Sequence, residues 1–285
     1  MRSFLIDPFA AAFMARALAQ TLLLAVLGGV VGVHIVLRRL AFVTEALQHT
    51  IFPGIAIAYV LGASLLTGAL AAAALTVAVL VAARRLASVD QDGLLAVLIA
   101  GAFALGVVVV SRSRSYQHDL TVLLFGRILT VDDAQLRATA MLTALALVVL
   151  GLLHKELVMA AFDEVGAVAL GLRPALLDLV IQLVVAVVVV AAVRAVGTVL
   201  VVAFLVTPAA AARLAGRGVV TTMAMAVGLS ALCGWFGLAL SYELSVNHGI
   251  SSPTGATIVA MLTGAFVLAA GTRAIANRVR RVTPA

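Results

Sequence analysis

Charged residues are scarce in this sequence. Only 11% of its 285 residues are Asp, Glu, Lys or Arg, whereas a soluble domain carries about 25%. Hydrophobic residues make up 64% of the chain, and the mean hydropathy is +1.23. Several uncharged runs exceed the ~20 residues that a helix needs to cross a bilayer. This composition excludes an ordinary soluble domain and predicts a multi-pass membrane protein.

Aromatic residues are also scarce, at 5% of the chain. Outer-membrane β-barrels place aromatic girdles at both membrane surfaces and alternate apolar with polar residues along each strand. The apolar runs here are continuous instead. We therefore predict an all-α fold, a polytopic bundle of transmembrane helices.

Lysine and cysteine are nearly absent. Lys155 is the only lysine and does not follow a glycine-rich loop, so the sequence contains no Walker A phosphate loop, which requires Gly-Lys-Ser/Thr. It also lacks a nucleophile elbow and the His-Glu-x-x-His pattern of zinc proteases. These absences predict a chain that is not an enzyme. The single cysteine, Cys233, excludes an internal disulfide.

The net charge of +7 comes from arginines at the ends of apolar runs. This distribution fits the positive-inside rule, and no basic face studded with aromatics predicts nucleic-acid binding. Placing Arg38–Arg39 and the C-terminus in the cytoplasm satisfies nearly all of the basic loops. With nine crossings, the N-terminus then lies outside.

The apolar runs predict eight or nine spans within a single transmembrane domain, residues 1–285. The count is uncertain because the seventh span is short and contains Thr207–Pro208, where it could be broken. Residues 1–14 are predicted to lie at the membrane interface, 116–132 to form a short surface helix, and 273–285 to form a basic cytoplasmic tail. The predicted spans are 15–37, 41–61, 65–85, 93–110, 134–153, 175–193, 197–212, 220–240 and 254–270.

Glu45 and His49 are the strongest candidates for function. Four residues apart on a helix, they share one face, and they lie roughly 9 to 15 Å along the helix from Arg39. A carboxylate and an imidazole suit a divalent ion such as zinc or manganese. The same spacing also fits a proton relay or a hydrogen-bonded pair that only orients helices. Pro53–Gly54, which follows, is a place where the helix could bend.

The segment 162–174 is the longest polar connection. It starts with Phe162, Asp163 and Glu164 and ends with Gly171 and Arg173-Pro174, a composition typical of a short capped helix. On the cytoplasmic side such a helix could dock a soluble partner, and an ordinary amphipathic loop is the alternative.

Other histidines are weaker candidates. His248 lies near Glu243 on the predicted outer side, and either that pair or His118–Asp119 could guide a cation inward. Exposed loop histidines commonly have no such role. His34 and His154 are more typical of packing and interfacial positions.

Several short motifs occur together in a fixed order along nearly the whole chain. They are Val36-Leu37-Arg38-Arg39, Glu45-Ala46-Leu47-Gln48-His49, Pro53-Gly54, Leu124-Phe125-Gly126, Phe162-Asp163 with Gly171-Leu172, Pro208-Ala209-Ala210, Leu240-Ser241-Tyr242 and Ser252-Pro253-Thr254-Gly255-Ala256. As an ordered set they resemble the permease family of manganese/zinc/iron-chelate ABC transporters.

The resemblance implies the permease subunit of an ATP-driven importer for zinc or manganese in the bacterial cell membrane. Its implied partners are cytoplasmic ATP-binding subunits, an extracytoplasmic metal-binding protein, a second copy of the chain and membrane lipid. No permanently bound cofactor is expected, only the transported ion. The metal pathway maps onto Glu45 and His49, and less securely onto Glu243 and His248.

The resemblance also places the coupling region for the ATPase at Phe162, Asp163, Glu164, Gly166, Gly171 and Arg173. Two departures stand out. Glu45 replaces the usual Asp, and Glu243, Ser245 and His248 follow Ser241-Tyr242 where the family often has an Asp. A secondary transporter or channel that works without ATP is the alternative function, and a membrane scaffold without a pathway is a further one.

Overall fold

Long helices account for most of the chain. The computed structural model describes residues 6–86, 91–111, 128–216, 218–247, 249 and 253–282, and no strand occurs among them. The helices are α1 (Ala12–Leu37), α2 (Ala41–Val60), α3 (Leu65–Leu86), α4 (Gln91–Ser111), α5 (Asp133–Leu152), α6 (His154–Phe162), α7 (Glu164–Ala169), α8 (Pro174–Val196), α9 (Thr198–Arg213), α10 (Val219–Val246) and α11 (Thr254–Val282). The all-α membrane bundle predicted from the sequence is confirmed.

Seven of these helices are long and apolar enough to cross a membrane: α1, α3, α4, α5, α8, α10 and α11. Helix α2 has 20 residues and is therefore ~30 Å long, but Glu45, Gln48, His49 and two threonines lower its hydropathy. Helix α9 has only 16 residues. These two helices account for the difference between seven apolar spans and the nine predicted segments.

The two prolines that could bend or break a helix do not end one. Helix α9 continues through Pro208 and α2 continues through Pro53. Gly197, where φ is +79°, separates α8 from α9, at the start of the predicted span 197–212. A positive φ is a conformation that glycine adopts without steric cost.

Two terminal or connecting segments also differ from expectation. Helix α11 runs to Val282, so the predicted basic tail begins inside this helix. Only Ile128–Thr130 of the predicted surface helix 116–132 forms a described turn, of 3₁₀ type; residues 116–127 lie outside the described residues.

The chain packs as two compact units, residues 1–36, 127–140 and 202–285 in one and residues 37–126 and 141–201 in the other. In the first, α1 lies against α9 through its glycines. A Cβ added at Gly28 would lie 2.8 Å from the carbonyl oxygen of Phe204, and one at Gly32 would clash with that of Leu205. Small residues four apart allow such close backbone approach in membrane helices. The Ser241 and Thr254 hydroxyls, 3.0 Å apart, join α10 to α11.

In the second unit, α2 packs against α3, α4 and α8. A tight turn at Gly62, with φ of +65°, reverses the chain between α2 and α3, as the sequence predicts. On the α4 side, Phe52 packs against Phe103 with ring centroids 5.8 Å apart. Helix α2, which contains Glu45 and His49, is therefore held on three sides within its unit.

Candidate metal site and coupling segment

Glu45 and His49 are brought together as the sequence predicts. They lie in the first half of α2, and the Nε2 atom of His49 is 3.2 Å from Oε1 of Glu45. Both side chains are partly exposed, 38% for Glu45 and 28% for His49. A carboxylate only accepts hydrogen bonds when ionised, so this contact places the imidazole proton on Nε2. A divalent ion bound by both atoms would replace that proton.

Phe103 of α4 forms one wall beside this pair. Its ring meets the His49 ring edge to face, with centroids 6.1 Å apart, and it also packs on Phe52. Edge-to-face packing of this kind is favourable and directional. The phenyl ring therefore restrains the imidazole in the orientation that faces Glu45. Sequence patterns did not reveal Phe103, since this contact joins two helices.

Gln48 is a second residue that sequence reasoning passed over. It is only 2% exposed and lies three residues after Glu45 on α2, so both side chains are on the same side of the helix. This i, i+3 spacing is the signal that could have revealed it. Gln48 thus adds a buried polar side chain next to the candidate pair.

Pro53 changes the backbone directly at the candidate site. Proline has no N–H, so it cannot donate the usual helical hydrogen bond to the carbonyl oxygen of His49, four residues earlier. The helix continues through this point, but it has lost one of the hydrogen bonds that stiffen it. The predicted flexing point is therefore a weakened turn of helix next to His49.

An apolar cavity close to the pair is not suited to an ion. Its volume is about 830 Å³, it lies between α2, α3 and α4, and Thr50 and Pro53 are the lining residues nearest to His49 in the chain. Apart from a few threonines its lining is apolar, including Ile57, Leu75 and Leu105. An ion in such a space would be left without ligands. The polar face of α2 that carries Glu45 and His49 offers an ion its ligands instead.

The pair is incomplete as a metal site. Within the part of the chain that the structure describes, no group of three or more His, Cys, Asp or Glu side chains could hold a metal ion. Zinc sites take about four ligands and other divalent ions up to six. An ion at Glu45 and His49 would thus be completed by water or by groups from outside this chain.

The predicted coupling segment forms the expected short capped helix. Asp163 is the N-cap of α7, and its side chain accepts a hydrogen bond of 2.8 Å from the backbone N–H of Gly166. At the other end the N–H of Leu172 donates to the carbonyl oxygen of Ala167, and Gly171 has φ of +80°. Asp163, Gly166 and Gly171 therefore shape the segment, whereas Glu164 and Arg173 are exposed.

Apolar side chains on this segment face outward. Phe162 is 68% exposed, Val165 81% and Leu170 69%. The opposite side is anchored, since Ala167 is completely buried, and α7 packs against α6 and α8. An exposed apolar cluster on a short anchored helix is typical of a protein-binding surface.

Only Glu243 of the second predicted metal pair lies within the described residues. Glu243 lies near the end of α10, in a different compact unit from Glu45. His248 lies outside the described residues. Of the remaining histidines, His34 is fully buried in α1 and His154 begins α6. The Glu243–His248 site stays a prediction.

The sequence is similar to a known family of membrane transport proteins. The model of the ABC 3 transport family matches residues 10–272. The chain is 32% identical over 257 residues to the "Manganese transport system membrane protein MntC" of Halalkalibacterium halodurans, an alignment that covers 90% of this chain and 86% of that protein. It is 29% identical to the "Manganese import system permease protein ScaB" of Streptococcus gordonii, over 84% of this chain and 86% of that one.

The fold also has a solved counterpart. The structure titled "PsaBC from Streptococcus pneumoniae in complex with Fab" contains a chain with a TM-score of 0.84 and 27% sequence identity. The similarity covers 94% of this chain and 95% of that one. The likeness thus extends over nearly the whole chain.

Proposed function

The chain belongs to the ABC 3 transport family and is a multi-pass permease of the bacterial membrane, and on this premise we propose that it imports manganese. The ion crosses the membrane along the polar face of α2, and ATP hydrolysis in a partner subunit drives the conformational change. Zinc is the alternative ion.

The Glu45–His49 pair is the observation that carries the proposal. It is a carboxylate and an imidazole in contact, partly exposed, on a helix otherwise surrounded by apolar packing. Ionisable groups at membrane depth are expensive and mark ion pathways. A site with only two protein ligands binds weakly, which suits an ion that must leave again.

A second copy of the chain supplies the missing ligands in our proposal. Two-fold symmetry would bring two Glu45–His49 pairs to one axis, giving two carboxylates and two imidazoles. The ion then passes through the interface of a homodimer. A metal-binding protein outside the cell delivers it to this site.

The coupling segment connects the permease to its ATPase. Segment 162–174 docks on the ATP-binding subunit through the exposed side chains of Phe162, Val165 and Leu170, with Glu164 and Arg173 at the rim. Movement of this segment switches the bundle between inward- and outward-facing states.

The choice of manganese over zinc rests on the relatives. The names of two similar proteins state manganese transport or import. Carboxylate oxygens suit manganese, whereas imidazole suits zinc as well. Since the pair contributes one of each, the selectivity has to be measured.

Reconstitution tests the proposal. Proteoliposomes containing the permease, its ATP-binding subunit and the metal-binding protein should accumulate ⁵⁴Mn only when ATP and Mg²⁺ are supplied on the ATPase side. Competition with unlabelled Zn²⁺ and Mn²⁺ then identifies the preferred ion. Uptake by the permease alone, driven by a proton gradient without ATP, would show a secondary transporter instead.

A further inference from the structure

Arg38 is the least exposed side chain among the described ion pairs of the second unit. It lies in the three-residue connection between α1 and α2, and its side chain is only 7% exposed. Its Nη1 atom donates to the carboxylate of Asp178, and its Nη2 atom donates to the backbone carbonyl oxygen of Leu157, at 3.0 Å. The guanidinium thus holds three separate parts of the chain together.

The partners of Arg38 flank the coupling segment on both sides. Leu157 lies in α6, is completely buried, and precedes Phe162 by five residues. Asp178 lies in α8 and follows Arg173 by five residues. Arg38 therefore contacts the helix that enters the coupling segment and the helix that leaves it.

On its other side, Arg38 is joined to the helix of the candidate metal site. The next residue, Arg39, has φ of +58°, a conformation that only a tightly constrained non-glycine residue adopts. The following residue, Leu40, accepts the first helical hydrogen bond of α2 from the Thr44 N–H, at 2.9 Å. Glu45 comes directly after Thr44. A displacement of Arg38 would therefore also displace the start of α2.

We propose that Arg38 is the positioning residue that transmits movement of the coupling segment to α2, and so to Glu45 and His49. The inference rests on the proposed function, because it assigns a role within ATP-driven transport. Separating this pair would leave the guanidinium of Arg38, which is only 7% exposed, without its carboxylate partner, and an enclosed charge without a partner is strongly unfavourable. The connection, α6 and α8 consequently move together when a partner subunit displaces the segment between them.

A purely structural role for Arg38 has a different consequence. If the ion pair only stabilised the bundle, its loss would lower the amount of assembled transporter, and ATP hydrolysis and metal uptake would fall by the same factor. If it transmits movement, the assembled complex hydrolyses ATP but moves less metal. The ratio of metal transported to ATP hydrolysed therefore separates the two roles.

The experiment uses the complete complex in proteoliposomes and measures ⁵⁴Mn uptake and phosphate release in the same sample. The variants are Arg38→Ala, Asp178→Asn, their combination, and Arg38→Lys. Arg137→Ala is the control, because Arg137 is an exposed arginine of α5 that takes no part in the contact between Arg38 and Asp178. Co-purification of the ATP-binding subunit reports assembly.

We expect Arg38→Ala and Asp178→Asn each to lower the metal-to-ATP ratio about tenfold, within the range by which coupling residues act. The double variant should lose no more than either single one, because both remove the same connection. Arg137→Ala should keep the wild-type ratio. If Arg38→Ala does not assemble, Arg38→Lys tests the proposal in its place. Lysine can pair with Asp178 but lacks the forked guanidinium that also reaches Leu157. Arg38→Lys should therefore lower the ratio several-fold.

A wild-type ratio in the assembled variants, or equal losses of hydrolysis and uptake, would overturn the proposal. Additive losses in the double variant would overturn it as well. Failure of the wild-type complex to take up metal with ATP is a distinct outcome, which refutes the proposed function itself.

Discussion

Gly54 of α2 and Gly68 of α3 lie backbone to backbone. A Cβ added to either residue would clash with the carbonyl oxygen of the other. The two helices therefore approach as closely as membrane helices can, in the manner of small-residue contacts generally. Because Gly54 follows His49 by only five residues, this contact fixes where the candidate metal helix lies against its neighbour.

Replacing Gly68 with alanine should loosen this contact. We expect Gly68→Ala to lower the free energy of unfolding by about 1–3 kcal/mol, as overpacking does elsewhere. Thermal unfolding in detergent measures this as a lower melting temperature. Gly101→Ala in α4 is the matched control, since a Cβ there meets nothing within 4 Å. Equal melting temperatures for the two variants would contradict the close packing.

Substitution of either residue of the Glu45–His49 pair should stop transport. Glu45→Gln and His49→Ala should each abolish manganese accumulation in cells, because each removes one of the two ligands that α2 offers. Glu45→Asp is the matched control and should retain uptake, since it keeps the carboxylate. Inductively coupled plasma mass spectrometry measures the accumulated metal, and co-purification confirms that the variants still assemble. Normal uptake by both ligand variants would exclude the pair from the pathway.

The features that the sequence predicted correctly depend on residues close together in the chain. Glu45 and His49 are one helical turn apart, so their 3.2 Å contact follows from helix geometry alone. Asp163 caps α7 through a residue three positions away. Such local patterns, together with the apolar runs, were enough to predict the bundle, the candidate pair and the capped coupling helix.

The features that could not be predicted depend on which helices become neighbours. Arg38 and Asp178 are 140 residues apart, and Arg38 has an obvious explanation as a membrane-edge charge. Phe103 reaches His49 from another helix. The sequence left open a break at Pro208, but the helix continues, as neighbouring helices and local adjustments allow for proline in membrane proteins.

Two substitutions of Asp163, the N-cap of α7, separate the effect of its capping hydrogen bond from the effect of its charge. Asp163→Ala should destabilise α7 by about 1 kcal/mol and lower the amount of ATP-binding subunit that co-purifies. Asp163→Asn should preserve binding, because its side-chain oxygen still accepts the Gly166 hydrogen bond. Equal losses in both variants would show that the charge of Asp163, and not its capping bond, is what the partner requires.

The exposed apolar cluster predicts how the partner is bound. Val165 is 81% exposed on the anchored helix α7, so Val165→Asp should leave the fold intact but weaken docking by placing a charge in an apolar contact. Co-purification and the ATPase rate of the complex measure the loss. Val220→Asp is the control, since Val220 is 66% exposed in the first turn of α10. Unchanged docking by Val165→Asp would place the contact surface elsewhere.

Phe103 tests whether the orientation of His49 matters for metal recognition. Phe103→Leu keeps an apolar side chain but removes the ring that meets the imidazole edge to face. Such an aromatic contact is worth about 0.5–1.5 kcal/mol, so the apparent affinity for manganese in uptake assays should fall by roughly 2- to 12-fold. The maximal rate should change less, because both ligands remain. Leu105→Ala is the control on the same helix, at a residue 62% exposed. An unchanged concentration dependence in Phe103→Leu would mean that the ring of Phe103 does not set the orientation of His49.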